Sequence, residues 1–322
     1  MILVWRITST CNFGCSFCAY DRGLSRPRAS ADPAEVRRFA LLLADCAARR
    51  GDRLLLSWLG GEPLLWKPLL PLSRQLARHP AIAISATSNG SRLDSSSVRN
   101  RILADFAELT LSVDGLSDTH DRLRAAPGSF ARIEHAIARL VAERAVRGSP
   151  LRIRVNTILM RDTFAQFPAL CHRLADWGVD EITFNQLGGR DRPEFHRDQR
   201  LGMRDACKLR DMLPVLRAEL APRGMWLCAG ERYLDRIVAS SQGMALAVDD
   251  CGPGEMFLFV DEAGVVAPCS FTQSRYGIPV SELRTDADVL ALPARFRRAR
   301  SQARDPQCDD CPSTQIFGKF AA

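Results

Sequence analysis

From residue 2 to about residue 190 the chain alternates short apolar runs with longer amphipathic stretches, and that alternation admits few folds. The apolar runs fall at 2–7 (ILVWRI), 53–58 (RLLLSW), 81–87 (AIAISAT), 108–113 (ELTLSV), 151–159 (LRIRVNTIL) and 180–185 (DEITFN). Each has the length and the Val, Ile, Leu and Thr content of a strand. Between them, 33–50, 67–79, 94–105, 129–147 and 163–177 space their apolar residues as helices do. Asp32 ahead of Pro33 reads as an N-cap followed by proline at the first helical position, and Gly51 and Gly178 read as C-terminal stops. Strands alternating with helices build a parallel sheet with helical crossovers. Six such units, with no dinucleotide fingerprint after the first strand, fit an open α/β barrel whose chemistry belongs at the C-terminal ends of its strands.

Beyond residue 190 the pattern changes. Residues 191–200 (DRPEFHRDQR) are polar and turn-like, and 201–221 and 229–241 read as helices. From 248, MFLFV and VVAPC flank DEAG, which predicts a β-hairpin; a helical stretch over 286–301 and the segment DPQCDDCPS follow. The expected organisation is a barrel over 1–190, a helical linker region over 191–247 and a small C-terminal unit over 248–322.

The net charge is +7, but Arg is interspersed with Asp and Glu, which disfavours nucleic acid as a partner. No apolar run approaches the ~20 residues of a membrane span, and MILVWRI is too short for the apolar core of a signal peptide. A soluble, cytoplasmic protein is therefore expected. In a reducing compartment eleven cysteines point to metal binding or catalysis rather than disulfides. Cys46, Cys171 and Cys207 lie in helix-like stretches and read as structural thiols. Seven others are patterned. Cys11, Cys15 and Cys18 form C-x3-C-x2-C directly after the first strand, and Cys251, Cys269, Cys308 and Cys311 gather near the C-terminus.

Thiolates are soft ligands that select zinc, copper(I) or iron–sulfur clusters. Structural zinc takes four ligands. A loop with three cysteines either recruits a distant fourth or holds a four-iron cubane at three irons, leaving the fourth open. In this motif and its placement the sequence resembles the radical S-adenosylmethionine (SAM) enzymes, whose signature is C-x3-C-x2-C after the first strand of a partial (β/α)6 TIM-like barrel. The resemblance implies SAM and a SAM-binding [4Fe–4S] cluster on Cys11, Cys15 and Cys18, with Phe17 near the adenine. It continues in LGGEP (59–63), TSNG (87–90), LSVDGLSDTHDRLRAAPGSF (111–130), VNT (155–157) and FNQL (184–187), each following or ending a strand. By that likeness Gly60, Gly61, Glu62 and Pro63 bring the chain up to the methionine amino group, and Ser88 and Asn89 join the SAM site. Ser112 and Arg124 bind the SAM carboxylate, Asp114 positions the loop or the ribose, Asn156 faces the rim, and Leu187 borders the adenine.

The C-terminal cysteines, with 17 residues between Cys251 and Cys269 and then a distant C-x2-C, suit a zinc knuckle by chemistry alone. They also resemble the twitch domain, the short form of the SPASM extension in the same superfamily, a β-hairpin plus helix that holds one auxiliary [4Fe–4S] cluster. Full SPASM domains carry seven cysteines and two clusters, and three of those are missing here. The likeness implies cleavage of SAM to a 5′-deoxyadenosyl radical and hydrogen-atom abstraction from a small-molecule or peptide substrate. The auxiliary cluster would accept an electron, making the enzyme a radical SAM oxidoreductase of the kind that oxidises an aminocyclitol or modifies a natural product. It further implies an external one-electron reductant of flavodoxin or ferredoxin type. Because the first strand begins at residue 2, a peptide substrate would call for a separate delivery protein. Cys228, outside the helices, is a candidate hydrogen-atom donor for an epimerase instead, and Tyr233, Asp249 and Asp250 are candidate bases by position. A non-catalytic metal-binding regulator is the remoter alternative.

Overall fold

The computed structural model describes residues 1–25, 27–189 and 191–321. Six strands, β1 (Ile2–Thr8), β2 (Leu54–Gly60), β3 (Ile82–Ser88), β4 (Glu108–Ser112), β5 (Arg152–Leu159) and β6 (Glu181–Gln186), lie side by side in chain order, all parallel. The crossovers are α1 (Pro33–Arg49), α2 (Leu69–Leu76), α3 (Ser96–Asp105), the pair α4 (Ser117–Arg124) and α5 (Ser129–Arg147), and the pair α6 (Arg161–Phe164) and α7 (Phe167–Asp176). The α/β barrel expected from the alternation is thus present.

Several helical segments differ from expectation: Pro193–Gln199, read as turn-like, forms a helix, and the stretch 286–301 is split at Ala291. The stretch 163–177 is broken between α6 and α7, where Pro168 enters the first turn of α7. The short α4 was invisible to hydrophobic periodicity because the residues it buries are His120, Leu123 and Arg124, two of the three polar.

Local chemistry accounts for the crossovers. The Asp32 carboxylate accepts from Ala34 N at 3.0 Å, a cap of about 1 kcal/mol. Beyond it Val36, Phe39, Ala40, Leu43 and Ala44 form the buried stripe of α1. That stripe packs on the outward residues of β1, with Trp5 edge-on to Phe39 at 6.0 Å. Gly51 (φ 73°) and Gly178 (φ 78°) terminate α1 and α7 in the left-handed conformation.

Along the strands, Leu3, Trp5, Leu54, Leu56, Ile84, Leu109, Val155 and Phe184 face the helices and make the core. The residues between them face the lumen and are largely polar. Ser57, Ser85, Thr87, Thr110, Asn156 and Thr183 surround a cavity of about 620 Å³, with Glu108, Arg152, Arg154 and Glu181 among its walls. A fully closed eight-stranded barrel fills this space with apolar side chains; this one keeps it hollow and wettable.

The linker region holds α8 (Pro193–Gln199), α9 (Met203–Leu220), β7 (Trp226–Leu227) and α10 (Glu231–Ser241). The two-residue β7 adds a seventh parallel strand beside β6, too short to show as a sequence pattern. The C-terminal unit holds β8 (Phe257–Val260), β9 (Val265–Ala267), α11 (Gln273–Tyr276), β10 (Ile278–Pro279), α12 (Asp286–Leu290) and α13 (Leu292–Gln302). The expected hairpin is β8–β9, its turn held by Asp261 Oδ1 accepting from Ala263 N and Val265 N at 3.0 and 2.9 Å.

β8 also pairs in parallel with β1, from Ile2 opposite Phe257 to Trp5 opposite Val260. One sheet therefore runs β10-β9-β8-β1-β2-β3-β4-β5-β6-β7 without a break at residue 190 or 248. At its β7 end the tail of the chain comes alongside, with Gly230 N donating to Gly318 O at 3.0 Å and Ala229 N to Ala321 O at 2.8 Å. Gln315, Lys319 and Phe320 of this tail line the lumen.

Candidate active site

The C-terminal ends of β1 to β6 meet around the first cysteine loop. Cys11 and Cys18 are half-buried and Cys15 is 6% exposed, and all three pack with Phe13, Phe17 and Ala126. Donors point at their sulfurs: Phe13 N lies 3.5 Å from Cys11 Sγ and Tyr20 N 3.3 Å from Cys18 Sγ. Asn89 Nδ2 and Arg124 Nη1 approach Cys11 and Cys15 at 3.9 Å. Burial pushes the Cys15 thiol up to about 12 against the opposing pull of Arg124, and pushes Cys11 and Cys18 upward as well. Thiols so placed release their protons only when a metal charge compensates.

Arg28, which the sequence reading missed, pins the loop. Its guanidinium donates to the carbonyls of Ser9 (2.9 Å), Tyr20 (3.3 Å), Asp21 (2.7 Å) and Leu24 (3.4 Å). Nothing in the sequence marks it among so many arginines.

The glycine pair after β2 is required by the chain itself. A Cβ on Gly60 would lie 2.6 Å from Thr8 O, and one on Gly61 would lie 2.3 Å from Thr10 O and 3.0 Å from Cys11 Cβ. The expected reason was close approach of a ligand; the contact that excludes a side chain is with the end of β1 and the cysteine loop. Glu62 follows, fully buried, with its oxygens accepting from Leu64 N (3.0 Å), Ser88 Oγ (2.8 Å) and Asn89 N (2.6 Å). Burial raises its carboxyl to about 7 in spite of those donors. Pro63 opens the single turn that Glu62 caps. Glu62 and Ser88 therefore act as a brace between the ends of β2 and β3. Asn89 reaches on to Asn12 Oδ1 at 2.9 Å.

After β4, Ser112 is half-buried at the strand end and Asp114 is wholly buried. Asp114 Oδ1 accepts from Ile158 N at 2.7 Å and its Oδ2 pairs with Arg124 Nη2 at 2.5 Å. Burial works against the charge of Arg124, but Asp114 and the neighbouring thiols hold it protonated. Its Nε is buried without a partner, a donor still open beside Cys15. The Arg124 guanidinium also covers the Phe17 ring at 5.5 Å. His120, also missed, accepts from Asp114 N through Nδ1 at 3.0 Å. Burial, then Arg124, lowers it to about 4, so it is neutral. Phe17 and Leu187 come together in one apolar patch with Leu123, Ile158, Met160 and Phe195. Asn156 faces the lumen, its Oδ1 accepting from Lys319 Nζ (2.7 Å) and Thr183 Oγ1 (3.1 Å).

The second cysteine set converges from separate segments. Cys251, Cys269, Cys308 and Cys311 all line one cavity of about 260 Å³ beside Ile2, Phe257 and Pro268. Arginines fix the surrounding loops by their carbonyls: Arg236 Nε on Cys311 O (2.9 Å) and Arg304 Nη2 on Cys308 O (3.0 Å). Among the described residues no three His, Cys, Asp or Glu side chains are placed to hold a single metal ion.

The remaining candidates are spread across the fold. Tyr233 is 1% exposed, and its hydroxyl donates to Phe184 O at 3.0 Å and lies 3.3 Å from Oδ1 of Asn185, a residue of the lumen wall. Asp249 and Asp250 are exposed in a cleft against Arg297, Arg300 and Arg304 of the C-terminal unit, so neither faces the barrel cavity. Cys228 is buried with its thiol pushed up to about 11. Its N–H bonds Ile182 O at 3.0 Å, near the start of β6.

The radical SAM superfamily domain matches residues 5–146 of the chain. The chain is similar to an AdoMet-dependent heme synthase of Methanosarcina barkeri, 21% identical over 90% of this chain and 83% of that protein. It is also similar to the mycofactocin maturase MftC of Mycobacterium tuberculosis, 21% identical over 96% and 75%. Among solved structures, SuiB of Streptococcus suis bound to S-adenosylmethionine superposes with a TM-score of 0.69 at 15% identity, covering 100% of this chain and 72% of that one. Other curated relatives, a pre-heme d1 synthase and GTP 3′,8-cyclases, are matched over about half their length, 43% and 52% in two cases.

The superfamily uses SAM and a [4Fe–4S] cluster, and the residues present fit both. Three convergent thiols leave one iron of a cubane open. The unpartnered Arg124 Nε suits a carboxylate, and the patch of Phe17 and Leu187 suits a flat apolar ring. No helix among the described residues is long and apolar enough to cross a membrane.

Proposed function

We propose that the protein is a radical SAM oxidoreductase that acts on a peptide or a small molecule entering the barrel rim, and that Cys251, Cys269, Cys308 and Cys311 hold one auxiliary [4Fe–4S] cluster. The observation that carries this reading is the shared cavity of about 260 Å³ between those four cysteines. A zinc ion draws four sulfurs to ~2.3 Å from one point and needs no such space; a cubane ligated at every iron does. Bound SAM and its cluster supply a hydrogen-abstracting carbon radical, and a fully ligated auxiliary cluster supplies an electron acceptor.

The chain's own residues do the positioning. Cys11, Cys15 and Cys18 hold the first cluster; Arg124, braced by Asp114, receives the SAM carboxylate with Ser112; Phe17 and Leu187 sandwich the adenine region. Gly60, Gly61, Glu62, Pro63, Ser88 and Asn89 shape the wall opposite. The hollow lumen below gives the substrate its place.

A peptide substrate is supported by the neighbour SuiB, solved bound to its precursor peptide SuiA, and by the likeness to a maturase. An external one-electron reductant of flavodoxin or ferredoxin type and a delivery protein for the peptide belong to the same proposal. Eleven cysteines, all free, suit a reducing cytoplasm.

The test is anaerobic cluster reconstitution followed by reduction with SAM present. Release of 5′-deoxyadenosine and methionine is expected, with about eight irons per chain. No SAM cleavage from protein carrying its full iron would refute the catalytic reading, and about four irons with intact cleavage would refute the auxiliary cluster.

A further inference from the structure

Below the rim the lumen carries an ammonium group that, among the described residues, forms no ion pair. Four charged residues of the lumen wall cancel one another. Arg154 donates to Glu181 Oε2 at 2.7 Å and to Glu108 Oε2 at 3.1 Å. Arg152 lies 2.9 Å from Glu181 and 3.7 Å from Glu108. Lys319, brought in by the C-terminal tail, is the surplus. It is 7% exposed, and among the described residues it forms no ion pair. Its Nζ has a neutral acceptor, Asn156 Oδ1, at 2.7 Å, and lies 5.3 Å from the Phe320 ring centre.

The residue type matters. Of 44 basic residues only Lys67, Lys208 and Lys319 are lysine. Elsewhere the chain pairs its acids with arginine, the fork that matches a carboxylate in place. A lysine is a compact point charge that adjusts to what arrives. Burial, then Arg154, lowers Lys319 to about 7, while Cys228 works in the opposite direction. The groups facing it are Asn156 and Arg154 of β5, Cys228 after β7 and Phe320 of its own tail, with Glu108 and Glu181 already bound to arginine. A buried ammonium left without an anion is costly, and an arriving anion relieves that cost.

We propose that Lys319 anchors a substrate-binding subsite in the barrel lumen and that the substrate presents a carboxylate to it, with Asn156 and Thr183 completing the polar seat. One surplus positive charge matches a monoanion; a phosphate dianion would leave a charge unmet. Asn156 stands opposite Ser112, the last residue of β4, and three residues before the end of β5, so the seat reaches the rim on the β4 side. The cavity of about 620 Å³ holds a small acid whole, or the acidic side chain of a peptide lying across the mouth. This subsite rests on the reading that substrate enters from the rim.

The experiment uses the full chain labelled with 15N-lysine, whose three side-chain signals are assigned with Lys319→Met. One pair of probes is propionate and propionamide; a second is a capped tripeptide with a central Asp and its Asn counterpart. The Lys319 signal is expected to move on binding the acid of one or both pairs at least tenfold more tightly than the amide. Lys319→Arg should retain binding of the acid and Lys319→Met should lose it. The pair that shows the preference tells whether the carboxylate belongs to a free acid or a peptide. Equal binding of acid and amide, or a Lys319 signal moved by neither, overturns the proposal. If Lys319→Met does not fold, the acid-to-amide comparison on the unaltered protein decides alone. Failure here with SAM cleavage intact removes only the subsite, and acid preference without SAM cleavage removes only the catalytic reading.

Discussion

Gly61→Ala tests how the first cysteine loop is built. The added methyl would sit 2.3 Å from Thr10 O and 2.6 Å from Thr10 C, both backbone atoms. No rotamer relieves a contact between a Cβ and another strand's backbone, so the end of β2 and the loop must part by about 1 Å to reach ordinary contact distances. Two hydrogen bonds cross that junction, Gly61 N to Thr8 O and Glu62 N to Thr10 O, each 2.8 Å. Stretching both beyond bonding range costs about 2 kcal/mol, and the residual overpacking adds about 1–2 kcal/mol. For a chain of 322 residues the total of about 3–4 kcal/mol lowers Tm by roughly 5 °C. Cys11, whose Cβ is 3.0 Å from the new methyl, is carried out of register with Cys15 and Cys18. The assays are a thermal melt and iron analysis after reconstitution. Iron should fall from about eight to about four per chain, the loss confined to the first site. Gly51→Ala is the control, because that glycine has positive φ but nothing within 4 Å, so it should lose stability without losing iron. A Gly61→Ala protein that melts within 1 °C of the parent and keeps all its iron would refute the reasoning.

Four further outcomes follow from the same structure. Lys319→Met should stabilise the fold: a lysine lowered from 10.5 to about 7 costs about 4 kcal/mol at pH 7 and about 2 kcal/mol at pH 9. The unfolded chain holds a proton that the folded one gives up, so parent stability rises with pH between those values, and denaturant titrations should show the variant's advantage shrinking. Cys251→Ser with Cys308→Ser should halve the iron while SAM cleavage at the first site persists, measured as 5′-deoxyadenosine in the absence of substrate. Asp121→Asn should cost about 1–2 kcal/mol, because Asp121 accepts from Gly128 N, Ser129 Oγ and Phe130 N at the start of α5. Those bonds outweigh burial and hold its carboxyl below the usual range. That stability is present above the ordinary carboxylate range and is lost as pH falls through the lower folded value. Cys228→Ala should leave SAM cleavage within about twofold of the parent, and a loss of solvent-deuterium incorporation into product would support the epimerase reading.

Much of the barrel was legible because its strands show one apolar face to the helices and its helices one stripe to the strands. The thiols of the first loop were legible because their spacing is local. What escaped had no local signature. α4 buries charged groups, β7 is two residues long, and the partner of β8 lies at the opposite end of the chain. Arg28 and His120 act through backbone groups they meet only in the folded state. Lys319 escaped because its setting comes from β5 and β7, far away in sequence. Asp249 and Asp250 were chosen by proximity along the chain, which says nothing of the side of a sheet on which a residue lands.

The pairing of β1 with β8 bears on how the molecule comes into being. Residues 2–5 meet residues 257–260, so β1 keeps one edge unpaired until β8 has been synthesised. At ~5–20 residues per second that interval lasts roughly 13–50 s, during which the cysteine loop hangs from a strand with a bare flank. Nascent protein should therefore be most prone to edge-on aggregation, and most accessible to whatever delivers iron, before β8 has left the ribosome.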